Sequence, residues 1–113
     1  AGHAMNLTTR FWIDAYLTRL RLADIPAYVV AHGDDTAGTV MVKLALLNGH
    51  ARAYERGFDL ASNARKWRTV LDGPEPEVDA MITRARGRDR DLWVIEVEDR
   101  QGRTLLDEPG LSE

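Results

Sequence analysis

The chain has 113 residues, enough for one domain. Its 44% hydrophobic and 29% charged residues are typical of a globular protein and exclude a disordered chain. The absence of cysteine excludes disulfides, zinc–thiolate sites and thiol catalysis, and it is consistent with a cytoplasmic location. The net charge of −3 argues against a general nucleic-acid or membrane-surface binder, and the sequence has no apolar run of the roughly 20 residues that a membrane span needs.

The two ends of the chain are expected to lie outside the folded unit. Residues 1–5 resemble an expression tag ahead of a native Met5, so we exclude His3 from any site. They lack the basic and then apolar pattern of a signal peptide. We expect a single domain over residues 6–108, followed by an acidic tail at 109–113.

The first predicted element is a helix over residues 9–23. Its apolar residues recur at spacings of three and four, as on one face of a helix. Thr8 or Thr9 can cap its start, and Pro26 disfavours helical geometry at Ile25 and so ends it. Residues 27–31 predict a short strand from their β-branched and aromatic content, and residues 32–38 predict a loop.

A β-hairpin is the strongest local prediction. The apolar residues 39–47 predict a central strand, Asn48-Gly49 predicts a two-residue type I′ turn, and residues 50–58 predict the partner strand. That register would place Leu44 opposite Ala53, and Lys43 opposite Tyr54. One face of the hairpin would then be apolar, with Val40, Val42, Leu44, Leu46, Ala51 and Ala53. The other face would be basic, with Met41, Lys43, Ala45, His50, Arg52, Tyr54 and Arg56.

The remaining chain predicts a strand, a helix and a strand. Residues 65–71 favour a fourth strand over a short helix. Residues 72–76 contain one glycine and two prolines, and they predict a break between secondary-structure elements. Residues 77–86 predict a helix with acids near its start and arginines near its end, as the helix dipole favours. Residues 92–98 alternate as a strand does. The order α-β-β-β-(β)-α-β predicts an α+β fold, with a mostly antiparallel four- to five-stranded sheet and both helices on one face.

Basic and aromatic side chains suggest a contact surface for a partner. Arginine, tryptophan and tyrosine are enriched at interaction hot spots. The candidate surface comprises Lys43, Arg52, Tyr54, Arg56, Arg65, Trp67 and Arg68. The same mixture could bind RNA or single-stranded DNA. Glu96 and Glu98 of the last strand, if they share the open face, would neutralise it.

The sequence patterns that would indicate catalysis or metal binding are weaker than those that indicate a contact surface. His32, Asp34 and Asp35 share one loop, but their spacing matches no metal motif, and turn formation explains the aspartates. The loop between Gly33 and Gly38 leads into a strand and carries two negative charges, which disfavours a phosphate site. An enzyme would need a pocket in which His32 or His50 meets a carboxylate. We therefore predict no catalytic residue, metal or cofactor.

Three segments together resemble a known family. They are residues 10–20 (RFWIDAYLTRL), 38–43 (GTVMVK) and 91–100 (DLWVIEVEDR). They resemble the short alphaproteobacterial proteins of the domain of unknown function 1491 family, over residues 10–108. The resemblance implies a bacterial, cytoplasmic, stand-alone domain and supplies no activity, cofactor or partner.

The favoured hypothesis is a cytoplasmic, non-enzymatic binding domain. Its partner would be another protein or a second copy of itself. Nucleic-acid binding through the basic surface and a small-molecule enzyme using His32 or His50 are the alternatives.

Overall fold

A computed structural model describes residues 8–59, 61–62 and 64–112. The expected tag at residues 1–5 lies outside the described residues. The elements follow in the order α1 (Thr9–Leu22), β1 (Ala27–Ala31), β2 (Val40–Ala45), β3 (His50–Asp59), β4 (Ala64–Pro74), α2 (Glu75–Arg88) and β5 (Trp93–Glu98). The predicted α+β class and element order are confirmed, and the segment from residue 65 is a strand.

The five strands form one sheet in the order β1-β5-β2-β3-β4. Strands β2, β3 and β4 form an antiparallel meander. Helix α2 then returns the chain so that β5 lies between β1 and β2, parallel to β2 and antiparallel to β1. The sheet is therefore mostly antiparallel, as predicted, with β2 and β5 central and β1 and β4 at the edges.

The hairpin register differs from the prediction by one residue. Leu44 pairs with Arg52, and Ala45 pairs with Ala51. The N–H of Leu46 donates to the carbonyl of His50 at 3.1 Å, so the loop contains three residues rather than two. Leu47 (φ 63°) and Gly49 (φ 90°) both have positive φ in that loop. Three-residue hairpin loops use left-handed positions of this kind.

This shift exchanges the two faces of β3. Ala51 and Ala53 lie on the face of Met41 and Lys43, and pack with Met41 in one cluster. Arg52, Tyr54 and Arg56 instead share the face of Val42 and Leu44. The predicted separation into an apolar and a basic hairpin face is therefore wrong. The small side chains of Ala51 and Ala53 leave room for a helix on their side.

The two helices cover opposite faces of the sheet, so their predicted placement on one face is wrong. Residues of β2 and β5 alternate between the two sides. The α1 side buries Trp12, Ile13, Tyr16 and Leu20 of α1 with Val40, Val42, Leu44, Trp93, Ile95 and Val97 of the sheet. The α2 side buries Val78 and Ile82 of α2 with Met41, Ala51, Ala53, Leu92 and Val94. The central strands are therefore buried on both faces.

The C-terminal segment completes the α1 side. Leu106 and Leu111 are buried in the α1 cluster. The indole N–H of Trp67 donates to the carbonyl of Leu111 at 3.0 Å, and the Tyr16 hydroxyl donates to the carbonyl of Thr104 at 2.9 Å. The expected tail at 109–113 thus includes a core residue, which local sequence patterns did not reveal.

No helix in the described part of the chain combines the length and the apolar character needed to cross a membrane.

The Leu111→Ala substitution tests whether the C-terminal segment belongs to the core. Leu111 is 1% exposed. Removing a buried leucine side chain leaves a cavity and should lower the free energy of unfolding by about 2–5 kcal/mol. The control is Leu22→Ala, because Leu22 is 77% exposed and its loss should cost about 0.5 kcal/mol or less. Urea denaturation measures both, and equal small effects would show that the segment is dispensable.

A pH-dependent contribution is expected at Asp99, which fixes the turn after β5. Hydrogen bonds from the Arg103 side chain, at 3.1 Å to each carboxylate oxygen, hold the pKa of Asp99 below its ordinary value of 3.8. A lowered folded-state pKa stabilises the protein above the ordinary value, and this contribution disappears as the pH falls through the lowered value. Asp99→Asn should therefore be less stable than wild type at pH 7, with a gap that narrows below about pH 4. Urea midpoints at a series of pH values measure the gap, and a constant gap would contradict the assignment.

Candidate functional site

The sheet divides the seven residues predicted as one contact surface. Lys43 and Arg68 lie on the α2 side, as the strand register requires. Arg52, Tyr54, Arg56, Arg65 and Trp67 lie on the α1 side. The surface predicted from the incorrect register does not exist as a single face.

Lys43 is a buried cation at the centre of the α2 side. Its side chain is 6% exposed, and its ammonium lies 2.7 Å from Glu75, 2.6 Å from Asp79 and 3.4 Å from Glu96. Burial alone lowers the pKa of a lysine, but hydrogen bonds to Asp79 and Glu75 overcome it and raise the pKa of Lys43 above its ordinary value. Lys43 therefore remains charged and joins the first turns of α2 to the sheet. It is not available to a partner.

Arg56 and Trp67 belong to an aromatic cluster on the α1 side. The guanidinium of Arg56 lies 5.2 Å from the ring centre of Trp12 and 5.9 Å from that of Trp67, within the range of cation–π attraction. The ring centres of Trp12 and Trp67 are 5.4 Å apart. The indole N–H of Trp67 is already bonded to Leu111. This tryptophan supports the fold rather than offering a free stacking face to a base.

The remaining cations of the candidate surface differ in their surroundings. Arg68 pairs with Glu55 at 3.1 Å. Arg52 lies 3.2 Å from Asp72, which also accepts a hydrogen bond from His50. The hydrogen bond from His50, followed by the charge of Arg52, lowers the pKa of Asp72. These contacts connect β3 to β4.

His32 meets a carboxylate beside a groove, which is the arrangement the enzyme alternative required. Its Nε2 lies 2.8 Å from Asp35, and its ring packs on Trp93 with the ring centres 4.0 Å apart. The hydrogen bond from His32 lowers the pKa of Asp35. Arg10 lies 3.5 Å from the same carboxylate. The His32 ring is thus fixed from two sides.

Two glycines hold the His32 loop against the sheet. A Cβ atom added to Gly33 would lie 2.1 Å from the carbonyl oxygen of Asp91, and one added to Gly38 would lie 2.3 Å from it. The loop also binds the sheet directly, because the Trp93 indole N–H donates to the carbonyl of Asp34 at 2.8 Å. The sequence interpretation assigned these glycines to turns. Their role in a close approach depends on a distant segment and left no local signal.

The described residues contain no cluster of three or more histidine, aspartate or glutamate side chains arranged to hold a metal ion. Asp34, one of the loop residues considered for such a site, accepts the backbone N–H groups of Thr36 and Ala37 at 3.1 and 2.8 Å. Its carboxylate forms the turn, as the sequence interpretation held.

Strand β1 presents an uncharged edge of the sheet. Tyr28, Val29 and Val30 are 53%, 43% and 45% exposed. The N–H of Glu98 donates to the carbonyl of Pro26, so Pro26 and Tyr28 direct their backbone groups toward β5. In an antiparallel ladder this orientation alternates, and the groups of Ala27 and Val29 therefore face outward. They can accept another strand.

A partly apolar hollow lies beside this edge. It has a volume of about 540 Å³ and is bounded by Leu17, Arg21, Asp24, Ile25, Pro26 and Ala27. The edge and the hollow together form a continuous partly apolar region, which is typical of a surface that contacts another protein. We call this region the β1 edge surface.

The opposite edge is protected. Strand β4 exposes Arg65, Lys66 and Arg68. Charged side chains on an edge strand discourage pairing with another chain. Strand β1 has none within residues Ala27–Ala31. The two edges of one sheet therefore differ in their capacity to accept a partner strand.

Comparison with known proteins identifies close structural relatives. The family model described as "Protein of unknown function (DUF1491)" matches residues 7–107. A crystal structure of a DUF1491 family protein from Caulobacter crescentus CB15 is 37% identical, with a TM-score of 0.79 over 93% of this chain and 97% of that one.

Two solution structures are also similar to this chain. An NMR structure of a DUF1491 family protein from Caulobacter crescentus CB15 is 37% identical, with a TM-score of 0.81 over 94% of this chain and 97% of that one. A protein from A. tumefaciens is 28% identical, with a TM-score of 0.70 over 83% of this chain and 86% of that one. The comparison with curated proteins finds no match.

The Lys43→Met substitution tests the role of the buried cation. It leaves Glu75, Asp79 and Glu96 close together without a counter-charge. Removing one partner of a buried ion pair costs about 3–5 kcal/mol. We expect a smaller loss here because Asp79 is 54% exposed and keeps contact with water. The matched control, Arg84→Met at an exposed position of α2, should change the free energy of unfolding by about 0.5 kcal/mol or less.

A double-mutant cycle identifies the cause of that loss. In a Glu96→Gln background, only Glu75 and Asp79 lose their counter-charge when Lys43 is replaced by methionine. The loss of unfolding free energy, measured by urea denaturation, should therefore be smaller than in the wild-type background. An identical cost in both backgrounds would show that Lys43 acts through packing alone.

Proposed function

The chain belongs to the DUF1491 family, and from its geometry we propose that it is a protein-interaction domain that self-associates by pairing the β1 strands of two copies. The observation that carries this proposal is the uncharged, outward-facing β1 edge. Since helices cover both faces of the central strands, an edge is the part of the sheet where a partner strand can add.

The sequence of β1 is suited to pairing with itself. Two antiparallel copies centred on Val29 would place that residue opposite its own copy. Tyr28 would lie opposite Val30 of the second copy. Pairs of aromatic and β-branched residues across strands are favourable, and this alignment brings no like charges together. The outward backbone groups of Val29 would form hydrogen bonds at the centre of the joined sheet.

The hollow enlarges the contact. A strand of five residues is short, and stable interfaces bury about 800 Å² on each partner. The apolar walls at Leu17 and Pro26 adjoin the strand. They supply area beyond the backbone pairing. Such an interface is symmetric, which is the commonest arrangement of homodimers.

The same proposal places the protein in the cytoplasm as a non-enzymatic domain. A chain without cysteine is suited to a reducing compartment.

Nucleic-acid binding has less support. The basic surface on which it depended is divided between the two sides of the sheet. Lys43 is buried and surrounded by carboxylates. Trp67 is bonded to the C-terminal segment. The cations that remain exposed on β4 are better explained as protection of that edge.

Val29→Lys tests the proposed interface. Pairing about residue 29 would bring two introduced ammonium groups face to face, which disfavours association. Sedimentation equilibrium at micromolar to millimolar concentration should show wild type rising above the 12.7 kDa monomer mass toward twice that value. The Val29→Lys variant should remain at the monomer mass.

The matched control is Val70→Lys on the opposite edge. Val70 is 36% exposed on β4, so the same change is made in a comparable setting. This variant should associate as wild type does. A wild-type protein that stays monomeric at all concentrations would refute the proposal, and so would a Val29→Lys variant that associates normally.

A further inference from the structure

A groove on the α2 side lies between the end of α2, the end of β1 and the start of β5. Its volume is about 380 Å³, at the lower end of the range for sites that hold small molecules. It is lined by Ala31, His32, Thr83, Arg86, Gly87, Asp89, Arg90 and Leu92. The apolar residues Ala31 and Leu92 contribute to its walls, and the other named side chains are polar or charged.

Two guanidinium groups, those of Arg86 and Arg90, line this groove. Arg86 and Arg90 form no ion pair within the ranges that the structure describes. The one carboxylate in the lining belongs to Asp89, and it accepts the backbone N–H of Asp91 at 2.9 Å. The lining therefore has an excess of positive charge. Part of that charge offsets the negative end of the α2 dipole, and two guanidinium groups exceed what one helix end requires.

His32, the third basic residue of the lining, is fixed in position. Its imidazole ring packs on Trp93 and is hydrogen-bonded to Asp35. The glycines at 33 and 38 hold its loop against Asp91. A preformed side chain costs little conformational entropy when a ligand binds. The hydroxyl of Thr83 donates to the carbonyl of Asp79, so its lone pairs can accept a hydrogen bond from a hydroxyl group on the carbon part of a ligand, though not from a phosphate dianion.

We propose that this groove binds a small molecule that carries a phosphate group. Planar guanidinium groups match the oxygens of a phosphate and bind it through paired hydrogen bonds. The two guanidinium groups are offset by the one carboxylate of Asp89. They therefore favour a ligand with two negative charges over a ligand with one. The walls at Ala31 and Leu92 accommodate the carbon part of the ligand. The site lies apart from the hollow beside α1 and is proposed independently of self-association.

An NMR titration with inorganic phosphate and with glycerol phosphate tests the site. Saturable shifts should appear at the backbone amides of Gly87 and Leu92, and at the indole N–H of Trp93, which lies beneath His32. The matched variants are Arg86→Gln and Arg90→Gln in the lining, with Arg84→Gln as control, since Arg84 is exposed on the same helix and does not line the groove. Each lining variant should weaken binding about tenfold or more, the loss expected for one charged hydrogen bond. The control should bind within about twofold of wild type.

Three results would overturn the proposal. Shifts that do not saturate, or that spread over the whole surface, would indicate general charge screening. Equal weakening in Arg84→Gln would do the same. Succinate binding at the same residues with the same affinity would show that the groove does not select phosphate. The titration is repeated on Val29→Lys, so that phosphate binding is measured separately from self-association, and dispersed amide spectra verify that each variant is folded.

Discussion

The burial of β2 on both faces is the constraint on which the rest of the structure depends. All six of its residues are buried, and its neighbour β5 is covered on both sides as well. A strand in this position needs a layer above and a layer below, which α1 and α2 supply. The single charged residue of β2 then needs a partner. Glu75 and Asp79 in the first turns of α2 provide it, so the charge of Lys43 fixes where α2 crosses the sheet.

The same constraint leaves the edges of the sheet as the places where another strand can pair. Once both faces of the central strands are covered, a partner strand can join only at β1 or β4. The arginines and lysine of β4 discourage such pairing, whereas β1 carries tyrosine and valines with outward backbone groups. This difference between two edges of one sheet is the physical basis for proposing an interaction domain. The groove at the far end of α2 is a separate feature with different chemistry.

Local patterns in the sequence were sufficient for the elements and their order. Helix α1, the hairpin, the fourth strand and β5 were each predicted within a few residues, because periodicity and turn residues are local signals. The family resemblance was also confirmed. The hairpin register failed because it depended on whether Leu47 takes a positive φ, which leucine rarely does and which its sequence neighbours do not reveal.

That single residue also explains why the seven residues of the candidate surface lie on two sides of the sheet. The register shift moved Arg52, Tyr54 and Arg56 to the face of α1. The position of β5 between β1 and β2, the close approach of Gly33 to Asp91 and the burial of Leu111 are contacts between distant segments. Such contacts are set by tertiary packing and leave no periodicity in the sequence. The β1 edge surface depends on the strand order, which local patterns do not specify.

Charge complementation across the proposed two-fold axis tests the central claim most directly. Val29→Lys and Val29→Glu are prepared separately and then mixed in equal amounts, and sedimentation equilibrium measures the mass of each sample and of the mixture. Pairing of β1 about residue 29 predicts that each variant alone is monomeric and that the mixture forms dimers, because opposite charges then face each other. A mixture that remains as monomeric as its components would contradict the account, since the two substitutions would then not meet across an interface.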